Sequence, residues 1–414
     1  MEIKIDMPDK VSMILDRLSA EGHEAVIIGG CVRDSIMGIT PHDWDIATSA
    51  QPTEIMDCFK EYNLMTAGLK HGTVTVIIDH EPYEVTTYRI DGKYTDYRRP
   101  DSVSFTSDLA EDILRRDFTI NAIAYDGKRI IDLHNSVGDL QRGIIRCVGN
   151  ADDRFQEDPL RVMRAIRFSA RFGFEIEAET KAAMERNAHL LTKIAIERKQ
   201  SEFSKALCSD HVKVLKNYKD ILSYVMPGIS QIDDFDDVIN IVADCHDICE
   251  KLAILVDSLG ISSYTDIVKL LSADMKYPNK VIKSVKNIFE GRKILIVNSS
   301  ICVKNMMSKF SLDDVKHILF FKYAKIKNSD IKERENILDG IAQMIRFAET
   351  IEMNKEKYCY NFKGLAINGR DLKELGVDDL EIKQYLTELL EMVITKQVSN
   401  TKNSLIEVVK ISRV

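Results

Sequence analysis

No run of about 18 apolar residues occurs in the 414-residue sequence, so no transmembrane helix is expected. The opening MEIKIDMPDK carries charges where a secretory leader needs an apolar segment, and the expected compartment is cytoplasmic. The 8 cysteines (Cys31, Cys58, Cys147, Cys208, Cys245, Cys249, Cys302, Cys359) show no CxxC and no regular spacing, which argues for reduced core thiols over disulfides or a zinc site. Only Cys245 and Cys249 stand close together, and an i, i+4 pair reads as two packed thiols. An excess of basic charge is also lacking: 57 Lys and Arg face 65 Asp and Glu, net −8. The balance is uneven, because residues 1–150 hold 16 basic against 25 acidic residues whereas 151–414 hold 41 against 40. Acidity therefore leaves an RNA partner open and places carboxylates in the N-terminal third, where a metal site needs them.

With 45% hydrophobic and 29% charged residues, the composition is that of a globular protein. Its length exceeds what one core serves, roughly 250–300 residues, so two to four domains are expected. VSMILDRLSAE (11–21) has helical spacing. EAVII (24–28) is a β-branched run that stops at Gly29-Gly30 before a second helical stretch. HDWDIAT reads as a short strand, PTEIMDCF as a helix with proline in its first turn, and TVTVIID and PYEVTTYR as a hairpin turning at 79–81. Residues 90–108 are polar and aperiodic, which predicts a long mobile loop. Beyond about 151 the strand signals largely vanish and helical periodicity remains.

Asp43 and Asp45 are the first chemical signal. On a strand they share one face, about 6–7 Å apart, a seat for hard, oxygen-seeking Mg²⁺. The Gly29-Gly30 turn lies just upstream, with Arg33 in the helix beyond it, and glycines let backbone amides approach a phosphate. Glu84 reads equally as a third carboxylate or as an edge-strand charge. Arg115 and Arg116 fit a triphosphate, and Asp117 suits a ribose hydroxyl or a helix cap. In EDPLRVMRAIRFSARFGF (157–174), Arg161, Arg164, Arg167 and Arg171 form one helical face with no acid among residues 161–171. Unpaired arginines on one face, directly after Glu157-Asp158, point to an anionic ligand. Asp158 and Arg161, three residues apart, are expected side by side.

The ordered segments GGCVRDSIMGITPHDWDIATS, EVTTYR, RRDFTINAIAY and EDPLRVMRAIRFSARFGF resemble the successive motifs of class II tRNA nucleotidyltransferases, the bacterial CCA-adding enzymes. These share a polymerase-beta-type head with bacterial poly(A) polymerases. ERKQSEFSKAL (197–207) resembles the segment closing the family's neck, and LAINGRDLKELGV (365–377) the start of its tail motif. The resemblance implies an α+β fold in which a small mixed sheet with helices forms the head, followed by an all-α neck, body and tail in a seahorse shape. The boundaries expected are 1–145 for the catalytic head, 146–208 for the nucleotide-recognising neck, 209–290 for a helical body and 291–414 for a tRNA-binding body and tail. It further implies that Asp43 and Asp45 hold Mg²⁺, that Gly30, Arg33 and Arg115 hold the incoming triphosphate with Arg164 and Arg167 close by, and that Asp158 and Arg161 read the base. CTP and ATP are the expected substrates and tRNA the expected partner, with no membrane; the oligomeric state stays open.

Many relatives carry a phosphohydrolase insertion signalled by a His-Asp dyad. Here the comparable stretch has Val256-Asp257, and His246-Asp247 lacks flanking histidines, so no hydrolase centre is expected. Among rivals, a poly(A) polymerase usually carries basic extensions that are missing here. A CC-only enzyme is shortened between EVTTYR and RRD, where this chain keeps 25 residues from Ile90 to Leu114. An A-only enzyme remains open. A non-catalytic RNA-binding protein is disfavoured by Asp43, Asp45 and Arg161.

Overall fold

The computed structural model describes residues 4–413 apart from 93, 95 and 99. The chain divides into two compact units, Met1–Pro227 and Gly228–Val414. In the first, α1 (Asp9–Ala20) buries Val11, Ile14, Leu15 and Leu18, a 3.6-residue stripe. Each such side chain contributes about 1.5–3 kcal/mol when fully buried. The strands are β1 (Ala25–Ile28), β2 (Ile46–Thr48), β3 (Asn63–Met65), β4 (Thr73–Ile78), β5 (Glu81–Thr87), β6 (Arg89–Asp91), β7 (Val103–Phe105), β8 (Ala124–Tyr125), β9 (Ile130–Ile131), β10 (Ile144–Ile145) and β11 (Glu175–Ile176), the last two a separate parallel pair that puts one short strand in the neck expected to be all-α. Seven of them form a mixed sheet in the order β3-β4-β5-β2-β1-β8-β9. β1 lies near its middle, which explains why all four of its residues are apolar and buried. The β4–β5 hairpin turns at Asp79 and His80, both with positive φ (50° and 67°), as a tight two-residue hairpin requires.

The stretch expected to be one long loop carries a small ladder instead. β6 pairs with β7, Arg89 opposite Phe105 and Asp91 opposite Val103. Three residues a strand are too short for periodicity to show. Lys93, Thr95 and Arg99, within the expected loop, lie outside the described residues.

The helices of this unit continue with α2 (Gly30–Ile36), α3 (Pro52–Cys58), α4 (Leu109–Leu114), α5 (Ser136–Arg142), α6 (Ala151–Glu157), α7 (Leu160–Phe172), α8 (Ala178–Asn187), α9 (Ile196–Leu207) and α10 (Lys219–Leu222). Gln51 and Glu54 close a capping box around Pro52 at the start of α3. Leu109 and Ile113 of α4 pack on Val26, Ile28, Ala47 and Ala124 of the sheet, together with Tyr88.

The second unit is helical: α11 (Phe235–Ala243), α12 (Ile248–Ser258), α13 (Tyr264–Val268), α14 (Asn279–Gly291), α15 (Ser300–Lys309), α16 (Leu312–Lys327), α17 (Arg334–Met353), α18 (Gly369–Glu374), α19 (Ile382–Ile394) and α20 (Lys402–Ile411). Residues Cys249 to Val256 of α12 are buried without interruption, because α11, α14 and α16 surround it. Near the C-terminus, Asn368 caps α18 and its own N–H donates the reciprocal bond to Asp371. Leu365, Ile367, Leu372, Leu389, Leu405 and Val409 form a separate apolar cluster there. Among the described residues, no helix is long and apolar enough to cross a membrane.

Candidate active site

β1 ends where Gly29 turns the chain at φ +88°, a conformation costly for L residues. A Cβ there would also lie 3.2 Å from Arg116 Nη1 and 3.9 Å from Asp45 Oδ2. Its backbone is therefore what requires Gly29, since Arg116 is the end of a flexible side chain and the Asp45 distance is an ordinary contact. The same turn ends the β1–β2 ladder. Ile28 N–H donates to Asp45 O at 3.1 Å, and beyond it the chain has become α2. Asp43, Trp44 and Asp45 consequently precede β2 rather than lying on a strand, which corrects the expectation from HDWDIAT.

Alternation along a strand is thus not what gathers the carboxylates. Asp43, Trp44 and Asp45 all line one pocket of about 700 Å³ with His42, Glu81 and Glu84. Glu84 arrives because β5 runs parallel beside β2, Ile46 opposite Val85. The Asp45 residue is exposed to solvent, yet the protein packed around its carboxyl pushes its pKa up; Arg116 opposes that rise and Asp43 adds to it. A cation would relieve this concentration of oxygen donors.

Behind the pocket, Asp112 organises both arginines of Arg115-Arg116. Its Oδ1 accepts from Arg115 Nε (2.9 Å) and Nη2 (2.7 Å), and its Oδ2 from Arg116 Nη2 (3.1 Å). Burial works against the charged Asp112, but the two guanidinium groups win and its pKa falls. Asp117 is fully engaged: Oδ1 accepts from Phe118 N–H (2.8 Å) and Asn121 Nδ2 (3.0 Å), and Oδ2 from Arg164 Nε (2.8 Å). Burial again raises its pKa, and Arg164 and Asn121 drive it down to about 2. Asn121 also accepts from Arg33, so Arg33, Asn121 and Asp117 form one buried chain that ends on the half-buried Arg164. Arg33 pairs with Asp34 (2.8 Å from Nε) and stacks 4.9 Å over the Phe172 ring.

The four arginines share α7 as expected, but each has an acidic partner. Arg161 bonds Glu157 (2.8 Å), Arg164 bonds Asp117, Arg167 bonds Glu202 (2.6 Å) and Arg171 bonds Asp34 (3.3 Å). Only Glu157 is near in sequence, so the absence of acids within 161–171 gave a false picture of free cations. Asp158 does not lie on the helix with Arg161. It precedes α7, accepts from Leu160 N–H (3.1 Å) and pairs with Arg198 of α9 at 2.8 Å. Pro159 breaks the helix between α6 and α7, which is why a three-residue helical spacing failed here.

Asp112, Asn121, Arg198 and Glu202 carry these contacts without having been singled out from the sequence. Asp112 was detectable from its i+3 and i+4 spacing to the two arginines, and Asn121 from standing four residues after Asp117. Arg198 and Glu202 had no local signal.

Residues 25–146 match the family described as poly A polymerase head domain, and 173–232 that described as probable RNA and SrmB-binding site of polymerase A. The chain is 36% identical to a CCA-adding enzyme of Ligilactobacillus salivarius, covering 97% of this chain and 96% of that protein. It is 34% identical to one of Lactiplantibacillus plantarum over 95% and 94%. In structure it resembles the Bacillus stearothermophilus CCA-adding enzyme in complex with CTP, with a TM-score of 0.78 and 27% identity over 98% of this chain and 99% of that one.

Proposed function

Because the chain belongs to the class II CCA-adding tRNA nucleotidyltransferases, we propose how its own residues divide the work of the reaction. The protein adds C, C and A to the 3′ end of tRNA from CTP and ATP, without a template and with release of pyrophosphate. The observation that carries our assignment is the pocket where Asp43, Asp45 and Glu84 converge beside the Gly29 turn. Its donors are carboxylate oxygens, which suit a divalent cation, and we take that cation to be Mg²⁺. Asp43 and Asp45 would hold it, with Glu84 close enough to assist. Bound there, it lowers the pKa of the tRNA 3′-hydroxyl and neutralises charge on the departing pyrophosphate.

The rest falls to side chains and backbone. The Gly30 amide at the start of α2 accepts the close approach of phosphate oxygens, while Gly29, whose N–H donates to Ile123 O at 3.0 Å, serves by its turn. Arg33, Arg115 and Arg116 face the triphosphate, held by Asp34, Asn121 and Asp112. Asp117 and Arg164 act as a braced pair that keeps α7 against the sheet, with Arg167 beside them. Asp158 and Arg161 read the amine and ring-nitrogen edge shared by cytosine and adenine. Both are occupied by Arg198 and Glu157, so base binding exchanges those partners for the nucleotide edge.

We assign the head to 1–145, the neck to 146–208, and the body and tail to 209–290 and 291–414. The last two would grip tRNA by shape and backbone phosphate, as double-stranded RNA allows little base readout. Eight free thiols fit the reducing cytoplasm, where tRNA matures. The test is to incubate the protein with tRNAs ending before the first C, after CC, and complete, with labelled CTP or ATP. Incorporation of C only into the first, A only into the second, and nothing into the third is expected. Addition of A alone, or of long A tracts, would overturn the reading.

A further inference from the structure

In the second unit, the start of α12 and one face of α16 bring together groups that nucleotide transfer does not use. A carboxylate oxygen of Asp247, the Sγ of Cys249 and a ring nitrogen of His317 lie within 4.8 Å of one another. Cys249 is buried, and Asp247 and His317 are partly buried. Glu250, 1% exposed, stands behind the ring, with Oε1 2.9 Å from His317 Nδ1. Its Oε2 accepts the backbone N–H of His246 (2.8 Å) and Asp247 (3.3 Å), which fixes its orientation. An ion pair accounts for Glu250 and His317, and Asp247 caps α12, its Oδ1 accepting the Cys249 N–H at 2.8 Å in a capping box with Glu250. Neither accounts for a thiol beside the same ring.

We propose that Asp247, Cys249 and His317 form a site for one zinc-class divalent cation. One oxygen, one sulfur and one nitrogen donor make a borderline-soft set that favours zinc over magnesium. Tetrahedral bonds of about 2.0–2.3 Å put ligand atoms roughly 3.3–3.8 Å apart, so rotamer adjustments of about 1 Å close the site. His317 Nδ1 is committed to Glu250, leaving Nε2 for the ion. That is the carboxylate–histidine–metal arrangement in which an outer carboxylate sets the ring's tautomer and orientation. Cys249 is therefore a ligand rather than a thiol packed against Cys245, whose own Sγ lies against Ile241 O at 3.4 Å. Three protein ligands leave a fourth position for water. The ion ties the N-terminus of α12 to α16, and on binding Cys249 releases its thiol proton to solvent.

The probe is Co²⁺, titrated into the reduced full-length protein with excess Mg²⁺ present to occupy all-oxygen sites. One equivalent should produce a near-ultraviolet thiolate-to-cobalt charge-transfer band with visible bands of tetrahedral intensity, and Zn²⁺ should bleach both. Cys249→Ser should abolish the charge-transfer band. His317→Gln should weaken cobalt binding at least tenfold while the thiol is retained, which keeps the test decisive if the serine variant does not fold. Glu250→Gln preserves the capping geometry and should weaken binding about 10–100-fold. Absence of the band at saturating Co²⁺, an undiminished band in Cys249→Ser, or unchanged affinity in His317→Gln would each overturn the proposal.

Discussion

Neutralising one buried carboxylate tests the chain of contacts that joins the sheet to α7. In Asp117→Asn the side chain keeps its shape and an oxygen for the Phe118 N–H, but the charge facing Arg164 is gone. Burial raises the Asp117 pKa, and Arg164, Asn121 and Arg161 overcome it, leaving about 2 against an ordinary 3.8. At ~1.4 kcal/mol per unit, that difference corresponds to about 2.5 kcal/mol of folded-state stability. The Arg164 side chain is 33% exposed, so solvent recovers part of this and about 2 kcal/mol is the expected loss at neutral pH. Because the folded pKa is depressed, the stabilisation is complete above the unfolded value and disappears as pH falls from 3.8 towards about 2. Wild type and variant should therefore differ most at neutral pH and converge in acid. Urea unfolding followed by the emission of Trp44, the one tryptophan and a residue of the same unit, measures both. A difference below ~0.5 kcal/mol, the range of an inert surface change, or a gap that widens in acid, would refute the reasoning.

Asp43→Ala and Asp45→Ala should each lose at least ~100-fold in addition rate with tRNA affinity retained, since charge neutralisation there counts mainly in the transition state; near-normal turnover removes the metal assignment. Asp158→Ala should slow turnover and relax the choice among CTP, ATP, GTP and UTP, on a scale of about 1–3 kcal/mol per bidentate contact. If selectivity is unchanged while stability drops slightly, Asp158 serves only its tie to Arg198. Affinity for tRNA should fall steeply between ~50 and ~200 mM salt despite the net charge of −8, because counterion release follows local phosphate contacts. A flat salt response counts against a backbone grip by residues 209–414.

Local signals located several elements around the candidate site. The β-branched AVII, the Gly29 turn and α2 were legible because strand propensity and a positive-φ glycine act within a few residues. The same holds for the β4–β5 hairpin and for Pro52 at the start of α3. The small β6–β7 ladder was not legible, since each strand is three residues long and gains its stability from pairing across 11 intervening positions. The four-arginine face of α7 was placed correctly and characterised wrongly, because three of its acidic partners come from α2, from the segment before Phe118 and from α9.

By itself the sequence determined the family and most of the helix and strand segments, and it supplied the carboxylates and arginines that we assign to nucleotide transfer, because these depend on residue type and near-neighbour order. Tertiary structure alone decided which charges neutralise one another, that Asp43 and Asp45 meet Glu84 through the parallel β2–β5 pairing and not through alternation on a strand, and that Asp247 and Cys249 face His317. The physical reason is that an ion pair or a ligand set depends on distances of a few ångströms between residues tens of positions apart, and only the packing of sheet and helices sets those distances.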